Sequence, residues 1–368
     1  MELRDRDASG IRGGLVILTA TVILAMLTYR FIEHPLKQRP IRRSKHYAHR
    51  INKVVVGVAA GTLLAAGTGA TLVINQPQHQ VASVFDDWNW ETHPGAMATT
   101  SQYSTPDGVD FLQKLEQLLA RPDYYAWDCR QPGSEEPSTG KILVCDDPQA
   151  PTDPHATIVL AGGSHAGQYH HAFRALAETY NWELLIVDRS NCYFQDTDHP
   201  DTDMCSAWQT NFMEWLEQAD VDLVVTPGTR MSEHGDPEYI APHAPDRWQD
   251  ILDTQTDLLL IRGVPRHTDD IADCMASAPD LETCGPEVAQ IANTNPLDNM
   301  DLPAAISTVD FTEHVCPAVN DSDALLCSPI VGNVAVWRDY NHLSNQFVET
   351  MTPVIEVQLR KELPWLFQ

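Results

Sequence analysis

Positive charge is scarce in most of this sequence. Residues 1–80 hold 11 of the 24 Lys and Arg residues but only 4 of the 51 Asp and Glu residues, so the rest of the chain has 13 basic and 47 acidic residues and a net charge near −34. A surface this acidic repels nucleic acid and anionic lipid headgroups. The composition therefore argues against a DNA- or RNA-binding protein.

Cysteine is absent from the first 128 residues, and no two cysteines have the CxxC spacing of common zinc sites. Zinc is the competing interpretation of the eight cysteines, but no paired histidines accompany them, and we expect no metal. An even number of cysteines confined to one part of a chain is typical of disulfides formed in an oxidising compartment. They fall as four close pairs across polar loops, which predicts sequential bridges: Cys129 with Cys145, Cys192 with Cys205, Cys274 with Cys284, and Cys316 with Cys327.

Long apolar runs occur only near the N-terminus, at residues 15–32 and 54–74. Each is long enough to cross a bilayer as a helix, and we predict two transmembrane helices. Residues 37–53, between them, carry seven Lys and Arg residues and no acidic residue. The positive-inside rule then places this loop in the cytoplasm and the rest of the chain on the outer face. A signal peptide is the alternative interpretation of the first run.

This topology predicts five segments. They are residues 1–36 with the first membrane helix, 37–53 as a cytoplasmic loop, 54–75 with the second membrane helix, 76–108 as a polar linker, and 109–368 as an outer domain. The sequence shows no internal repeat and no low-complexity tract.

In the outer domain, short apolar runs alternate with helical patterns. The predicted strands are 157–161, 183–188, 223–226 and 257–263, with a final short strand at 334–337. The predicted helices are 109–120, 168–180, 206–218 and 247–255, with a last helix ending near 363. Strands that are apolar throughout and separated by helices are typical of a buried parallel sheet. We therefore predict a doubly wound, flavodoxin-like α/β fold with a loop-rich region between residues 266 and 329.

The stretch TIVLAGGSHAGQYHH, residues 157–171, places a serine at the tip of a strand-to-helix turn. Gly162 and Gly163 allow a sharp bend, and the start of a helix directs N–H groups at developing negative charge. Ser164 is therefore a candidate nucleophile. An ordinary strand-to-helix turn is the alternative interpretation.

Asp339 and His342 follow the last predicted strand and precede the last helix. Serine alone is a poor nucleophile, but an imidazole can accept its proton and a carboxylate can orient the imidazole. Ser164, Asp339 and His342 supply these three groups, so we predict a catalytic triad. The alternative is structural, with Asp339 capping the helix and His342 packing on its first turn.

The Gly-x-Ser-His-Ala block at Ser164 and the Asp-x-x-His block at Asp339 resemble the SGNH hydrolase superfamily. More narrowly, they resemble the SGNH domain at the C-terminus of membrane acyltransferase-3 proteins, whose usual blocks are GDSHA and a late D-x-x-H-L-[ST]. Three further blocks agree with those proteins: YRFIEHPL at residues 29–36, RSNC at 189–192, and VPR at 264–266 with Cys274.

This resemblance implies O-acyl transfer, with acetyl the expected group, to a cell-envelope glycan or glycolipid. An esterase and a non-catalytic envelope-binding module are the alternatives. We expect no bound cofactor, and an acyl group derived from acetyl-CoA through a membrane domain of which this sequence holds only the last helix. The chain then looks like the C-terminal part of such an enzyme, from a split protein or a truncated gene model. It is expected in a bacterial cell membrane as a multi-pass protein, with a separate acyltransferase-3 subunit as a candidate partner.

Two departures from the family pattern concern the site. Gly163 stands where the family has the aspartate of GDS. The glycine and asparagine that donate to the oxyanion in the superfamily have no clear match here. The backbone N–H of Ser164 is the first oxyanion candidate, and Asn191 and Gly228 are the others.

Overall fold

A six-stranded, mostly parallel β-sheet forms the centre of the part of the chain that the computed structural model describes. The described residues are 88–113, 115–127, 129, 140–195, 202–231, 237–278, 280–321 and 323–368. Both predicted membrane helices and the basic loop lie outside these residues. Among the helices that are described, none is long and apolar enough to cross a bilayer.

The strands of this sheet are β1 (Cys145–Asp146), β2 (Ala156–Gly162), β3 (Trp182–Asp188), β4 (Leu223–Pro227), β5 (Asp257–Ile261) and β6 (Ile306–Val309). Their order is β1-β3-β2-β4-β5-β6, with β1 antiparallel to β3 and the other neighbours parallel. The chain runs outward from β2 to β3 and then crosses to β4 on the other side of β2. Ligands of open α/β sheets bind at such a switch point, beyond the carboxyl ends of the strands.

Strand β2 is buried along its whole length. Its side chains alternate between two apolar clusters, with Ile158 and Leu160 in one and Val159 and Ala161 in the other. Successive side chains of a strand point to opposite faces, so a strand of this kind must be covered on both sides. The sheet is therefore the middle layer of three.

The α-helices of the described residues supply the outer layers. They are α1 (Leu115–Leu118), α2 (Ser164–Gly167), α3 (His170–Tyr180), α4 (Thr202–Leu216), α5 (Ala244–Asp253), α6 (Ile271–Ser277), α7 (Thr312–Val315), α8 (Asn345–Thr350) and α9 (Thr352–Glu362). Helices α3 and α9 bury Phe173 and Ile355 against one face of the sheet. Helices α4 and α5 bury Phe212 and Trp248 against the other. The predicted α/β fold with a mostly parallel sheet is confirmed.

The last third of the chain differs from its prediction in two elements. Strand β6 lies in the region predicted to be loops; it is four residues long at the sheet edge, and three of those residues are only half-buried, which leaves a weak apolar signal. The predicted final strand at 334–337 is instead β8 (Val334–Ala335), which pairs with β7 (Ile330–Val331) in a separate hairpin.

The sequence predicts one amphipathic helix over residues 109–120, but among the described residues of this segment only α1 is helical. The N–H of Leu112 donates to the carbonyl of Asn333, and the side-chain amide of Gln113 exchanges two hydrogen bonds with the backbone of Ala335. These hydrogen bonds join the segment to the β7–β8 hairpin. Contacts with this distant part of the chain therefore decide its structure here, rather than the helical spacing of its apolar residues.

The four predicted disulfides are all present: Cys129–Cys145, Cys192–Cys205, Cys274–Cys284 and Cys316–Cys327. The predicted linker contains residues that pack against the sheet-containing unit. Its residues Ala96 and Met97 are buried in the core, and the side-chain amide of Asn333 donates to the carbonyls of Thr92 and Pro106.

Candidate active site

Ser164 is the first residue of α2 and follows β2 after a two-glycine turn. Gly162 has a φ of +116°, a conformation that side chains with a Cβ rarely adopt. Gly163 has ordinary extended dihedrals, with φ −87° and ψ −178°. The bend that presents the serine therefore depends on Gly162. Ser164 itself is partly exposed at the carboxyl end of the central strand.

Asp339 and His342 lie in a loop that leads from β8 into α8. The loop is closed by a hydrogen bond of 2.9 Å from the Arg338 N–H to the His342 carbonyl. Inside it, Oδ1 of Asp339 accepts the backbone N–H groups of Asn341 and His342 at 2.9 and 2.8 Å. The cap of α8 is a different residue, Ser344, which accepts the N–H of Phe347. The alternative in which Asp339 caps the last helix is therefore wrong.

The three predicted triad residues meet. Nε2 of His342 lies 2.8 Å from Oγ of Ser164, and Nδ1 of His342 lies 3.0 and 2.9 Å from the two carboxylate oxygens of Asp339. An ionised carboxylate only accepts hydrogen bonds, so Nδ1 of His342 must carry the proton. Nε2 is then the acceptor for the Ser164 hydroxyl, which is the arrangement that general-base activation of a serine requires.

Asp339 stays ionised in this setting. Burial opposes its charge, but the hydrogen bond and charge of His342, the Asn341 N–H and the Arg338 guanidinium outweigh burial and hold the pKa of Asp339 well below its usual range. Nε of Arg338, itself 4% exposed, lies 3.4 Å from Oδ2 of Asp339. The carboxylate that orients His342 thus keeps its charge at any ordinary pH.

A buried glutamine joins the two halves of the triad. Oε1 of Gln168, four residues after Ser164, accepts the backbone N–H of Leu343 at 3.0 Å. The residue after His342 is thereby tied to the segment that carries the serine. Sequence reasoning did not identify Gln168, although it lies within the block that surrounds Ser164. A glutamine in a helical pattern gives no sign of which distant N–H group it meets.

Comparison with protein-family models identifies the domain. The model described as SGNH domain (fused to AT3 domains) matches residues 128–357, more than half of the chain. The chain belongs to this SGNH family. Membership supports an enzyme that transfers or hydrolyses acyl groups, and fusion to membrane acyltransferase domains, together with four disulfides, supports a position outside the cytoplasm.

Comparison with curated proteins gives no match. Among solved structures, the SGNH domain is similar to the periplasmic domain of a lipopolysaccharide acetyltransferase from Salmonella ser. Paratyphi A. The identity is 13%, the TM-score is 0.42, and the alignment covers 57% of this chain and 85% of the other.

The oxyanion candidates of the SGNH domain differ in availability. Ser164 is the first residue of α2, and its N–H donates no hydrogen bond to an acceptor in the described part of the chain. The N–H of Gly228 donates to the carbonyl of Ile261 at 2.8 Å, so it is not free to bind an oxyanion in this structure. Asn191 is exposed, with φ +63°, in the turn after β3, and no hydrogen bond between described residues joins it to Ser164.

The described residues of the SGNH domain contain no group of three or more His, Cys, Asp or Glu side chains that could hold a metal ion. The eight cysteines, which are the softest potential ligands, are all consumed in disulfides. Among the described residues, the hydrogen bonds that reach Oγ of Ser164 come from His342, which is in turn bonded to Asp339.

A narrow cleft opens beside the triad. It is bounded by His165, by Tyr193 after β3, by Thr229 and Arg230 after β4, and by Arg266 after β5. Its volume is about 20 Å³, enough for one or two groups the size of a water molecule. It lies beyond the carboxyl ends of β2, β4 and β5, at the switch point of the sheet. Sequence analysis placed His165 and Arg266 in family blocks but gave neither a role, and it missed Tyr193 and Arg230.

Proposed function

We propose that the SGNH domain transfers an acyl group, acetyl by preference, to a hydroxyl of a cell-envelope glycan or glycolipid. The observation that carries the proposal is the unbroken series of hydrogen bonds from Asp339 through His342 to Ser164, each between 2.8 and 3.0 Å. Membership of the SGNH family supports acyl chemistry, and the partly exposed Ser164 is open to a substrate.

In the first half of the reaction, Oγ of Ser164 attacks the acyl carbonyl and its proton passes to Nε2 of His342. The bond from the carbonyl carbon to the leaving group breaks, and the leaving group takes the proton from the imidazolium. In the second half, His342 removes the proton of the acceptor hydroxyl, whose oxygen attacks the acyl-enzyme. The new ester forms and Ser164 recovers its proton. Asp339 orients the ring and stabilises its positive charge throughout, and the Ser164 N–H supports the oxyanion.

Gly163 does not prevent this chemistry in our proposal. Ser164 and His342 are already at hydrogen-bond distance with glycine at that position. The acyl donor is expected to reach the domain from the cytoplasmic acetyl-CoA pool through an acyltransferase-3 membrane subunit. The protein would then act at the outer face of a bacterial cell membrane.

The test uses the full chain, a fluorophosphonate probe and p-nitrophenyl acetate. Wild type is expected to label on one serine and to release p-nitrophenol. Ser164→Ala is expected to lose the label and at least about 10³-fold in turnover, because the hydroxyl is the reacting group. Ser277→Ala, which changes an exposed serine of α6, is the matched control. Unchanged labelling in Ser164→Ala would remove the proposal.

The same preparation separates transfer from hydrolysis, because the two differ only in whether a sugar hydroxyl or water resolves the acyl-enzyme. A transferase forms O-acetyl glycan at the expense of free acetate when a glycan is added. An esterase gives only acetate and deacetylates a preformed O-acetyl glycan. A binding module gives neither labelling nor turnover while still retaining the glycan.

A further inference from the structure

His165, next to the nucleophile, is a buried polar side chain without a described partner for one of its ring nitrogens. It is 9% exposed, its ring centroid lies 4.8 Å from that of His342, and no group among the described residues makes a hydrogen bond with its Nε2. Burial, and after it the nearby His342 and Arg266, lower the pKa of His165 well below its ordinary value. A neutral imidazole with an unused nitrogen on the wall of a cleft is unfavourable unless a ligand or water supplies the missing hydrogen bond.

The same cleft concentrates positive charge in a domain that is otherwise strongly acidic. Arg230 and Arg266 both line it. The guanidinium of Arg230 lies 4.0 Å from the centroid of the Tyr193 ring, and Nη1 donates to the neutral side chain of Gln195 at 2.9 Å. Among the described residues, no carboxylate forms an ion pair with Arg230.

Arg262 also lines this cleft, but the carboxylates of the domain already bind its guanidinium. It is 7% exposed and forms ion pairs with Glu238 at 2.7 Å and with Asp310 at 2.9 Å. Arg230, one strand away, is half-exposed at the cleft and stacked on an aromatic ring. Stacking fixes the orientation of a guanidinium and leaves its edge for a planar anion.

The cleft adjoins the proposed triad through the ring of His165, which lines the cleft and lies beside His342. The rings of His342 and His165 are 4.8 Å apart, those of His165 and Tyr193 are 6.2 Å apart, and Arg230 lies over Tyr193. Its volume is too small for a sugar ring, but it admits one or two oxygen atoms of a carboxylate or phosphate substituent projecting from one. A ligand held this way would keep its ring outside the cleft, near Ser164.

We propose that the cleft between His165, Tyr193, Arg230 and Arg266 is an anion subsite, and that the acceptor is an acidic glycan carrying a carboxylate or phosphate close to the hydroxyl that is acylated. This inference rests on the proposed function for the identity of the ligand as acceptor. The guanidinium of Arg230 binds the anion, and Nε2 of His165 makes a hydrogen bond with a neighbouring polar group. The acidic surface repels anions everywhere else, so the local cations select where such a ligand enters.

The test measures binding rather than turnover, so that it does not depend on transfer. Full-length Ser164→Ala is titrated by calorimetry with a glucuronate-containing disaccharide, with its neutral glucose counterpart, and with a hexose phosphate. We expect at least one of the two acidic sugars to bind at least about tenfold more tightly than the neutral sugar, as one charge-assisted hydrogen-bond pair provides. Which of the two binds identifies carboxylate or phosphate as the group.

Arg230→Gln in the same background is expected to remove that preference, and Arg230→Lys to retain part of it, because lysine keeps the charge but not the planar fork. Arg247→Gln, at a half-exposed surface arginine paired with Asp250, is the matched control for charge alone. Equal affinity for acidic and neutral sugars, or a preference that survives Arg230→Gln in a variant with unchanged melting temperature, overturns the subsite. Loss of fluorophosphonate labelling in Ser164→Ala is independent of these outcomes, so the two proposals fail separately.

Discussion

The two loops that supply the proposed triad are built in different ways. The serine turn is a backbone structure, in which a fully buried strand ends in Gly162 at φ +116° and a helix begins at Ser164. The Asp339 loop is an electrostatic structure, held by hydrogen bonds to one carboxylate and by the nearby Arg338. Its tip is exposed, with Tyr340 at 43%.

This difference indicates what each loop tolerates. A neutral amide in place of the Asp339 carboxylate should affect chemistry more than stability, since its oxygen can still accept the N–H groups of Asn341 and His342 and the hydrogen bond from the Arg338 N–H to the His342 carbonyl still closes the loop. A change of backbone preference in the serine turn should affect stability, since β2 is the centre of the sheet and both apolar clusters depend on it.

The largest expected effect is on activity, from Asp339→Asn. The asparagine carbonyl can still accept the N–H groups of Asn341 and His342, so the loop persists. Its amide, however, donates toward Nδ1 of His342 and favours the tautomer in which Nε2 carries the proton and cannot accept from Ser164. Turnover of p-nitrophenyl acetate should fall about 10³- to 10⁴-fold. The melting temperature should fall modestly, because the lowered pKa of Asp339 means that its charge also stabilises the folded state.

The sequence offers a matched control for that substitution. His243 and Asp246 form another aspartate–histidine pair three residues apart, at 3.2 Å, but both are exposed and lie at the start of α5 rather than beside Ser164. Asp246→Asn should leave turnover as in wild type. An Asp339→Asn enzyme that retains more than about a tenth of wild-type turnover contradicts the role of this carboxylate.

The next effect compares two adjacent glycines of the serine turn. A Cβ at Gly162 would require a rare conformation and would lie 3.0 Å from Oγ1 of Thr226, whereas a Cβ at Gly163 would meet its neighbours at 3.6 Å with ordinary dihedrals. Gly162→Ala should lower the free energy of unfolding by about 1–3 kcal/mol. Gly163→Ala should change it by less than about 1 kcal/mol and can raise it.

Chemical denaturation of the two variants measures this difference, with Gly163→Ala as the control for adding a methyl group. Equal destabilisation by both would show that the turn does not depend on Gly162. If the Gly163→Ala variant keeps its stability, the turn has room for a side chain at this position. That result bears on the departure from the family block, since the aspartate of GDS would start from the same Cβ.

Much of this arrangement could be predicted from local sequence. Strands β2 and β5 are continuous apolar runs, the cysteines fall in close pairs, and Ser164 stands at a glycine-rich turn, so each leaves a signal within a few residues. The meeting of Ser164 with His342 could be inferred from chemistry, because a serine nucleophile requires a base and family blocks supplied one.

What could not be predicted depends on contacts between distant segments. Strand β6 forms because it pairs with β5, and the segment at Gln113 is fixed by hydrogen bonds to Ala335. Neither contact can be predicted from the pattern of neighbouring residues. The cleft could not be predicted for the same reason. His165, Arg230 and Arg266 follow three different strands, and only the order of the strands in the sheet shows that they lie close together.

The smallest expected effect concerns the packing between the two halves of the site. His171 lies on α3, which follows the serine, and Glu349 lies on α8, which follows the Asp339 loop; Nδ1 of His171 is 3.6 Å from Oε2 of Glu349. The pKa of Glu349 is raised to about 7, mainly by burial and also by Asp123, while the hydrogen bond and charge of His171 lower it in part. Arg174 is a further charged group beside this contact, because it forms an ion pair with Asp123.

Since the pKa of Glu349 is higher in the folded state than in the unfolded chain, the folded state binds the extra proton. The stabilisation that comes from protonating Glu349 is fully present below about pH 4.5 and is lost as the pH rises through about 7. Glu349→Gln imitates the protonated form at every pH. At pH 8 the variant should therefore exceed wild type in free energy of unfolding by about 1–2 kcal/mol, a value discounted for the 20% exposure of the side chain.

At about pH 4.5 the two proteins should be equal within about 0.5 kcal/mol, and Glu178→Gln, which changes an exposed carboxylate of α3, should differ from wild type by no more than that at either pH. Denaturation monitored by tryptophan fluorescence at several pH values gives the curve. Glu349→Gln could instead raise the free energy of unfolding as much at pH 4.5 as at pH 8. That result would mean that the glutamine stabilises by packing and that ionisation of Glu349 does not weaken the contact between α3 and α8.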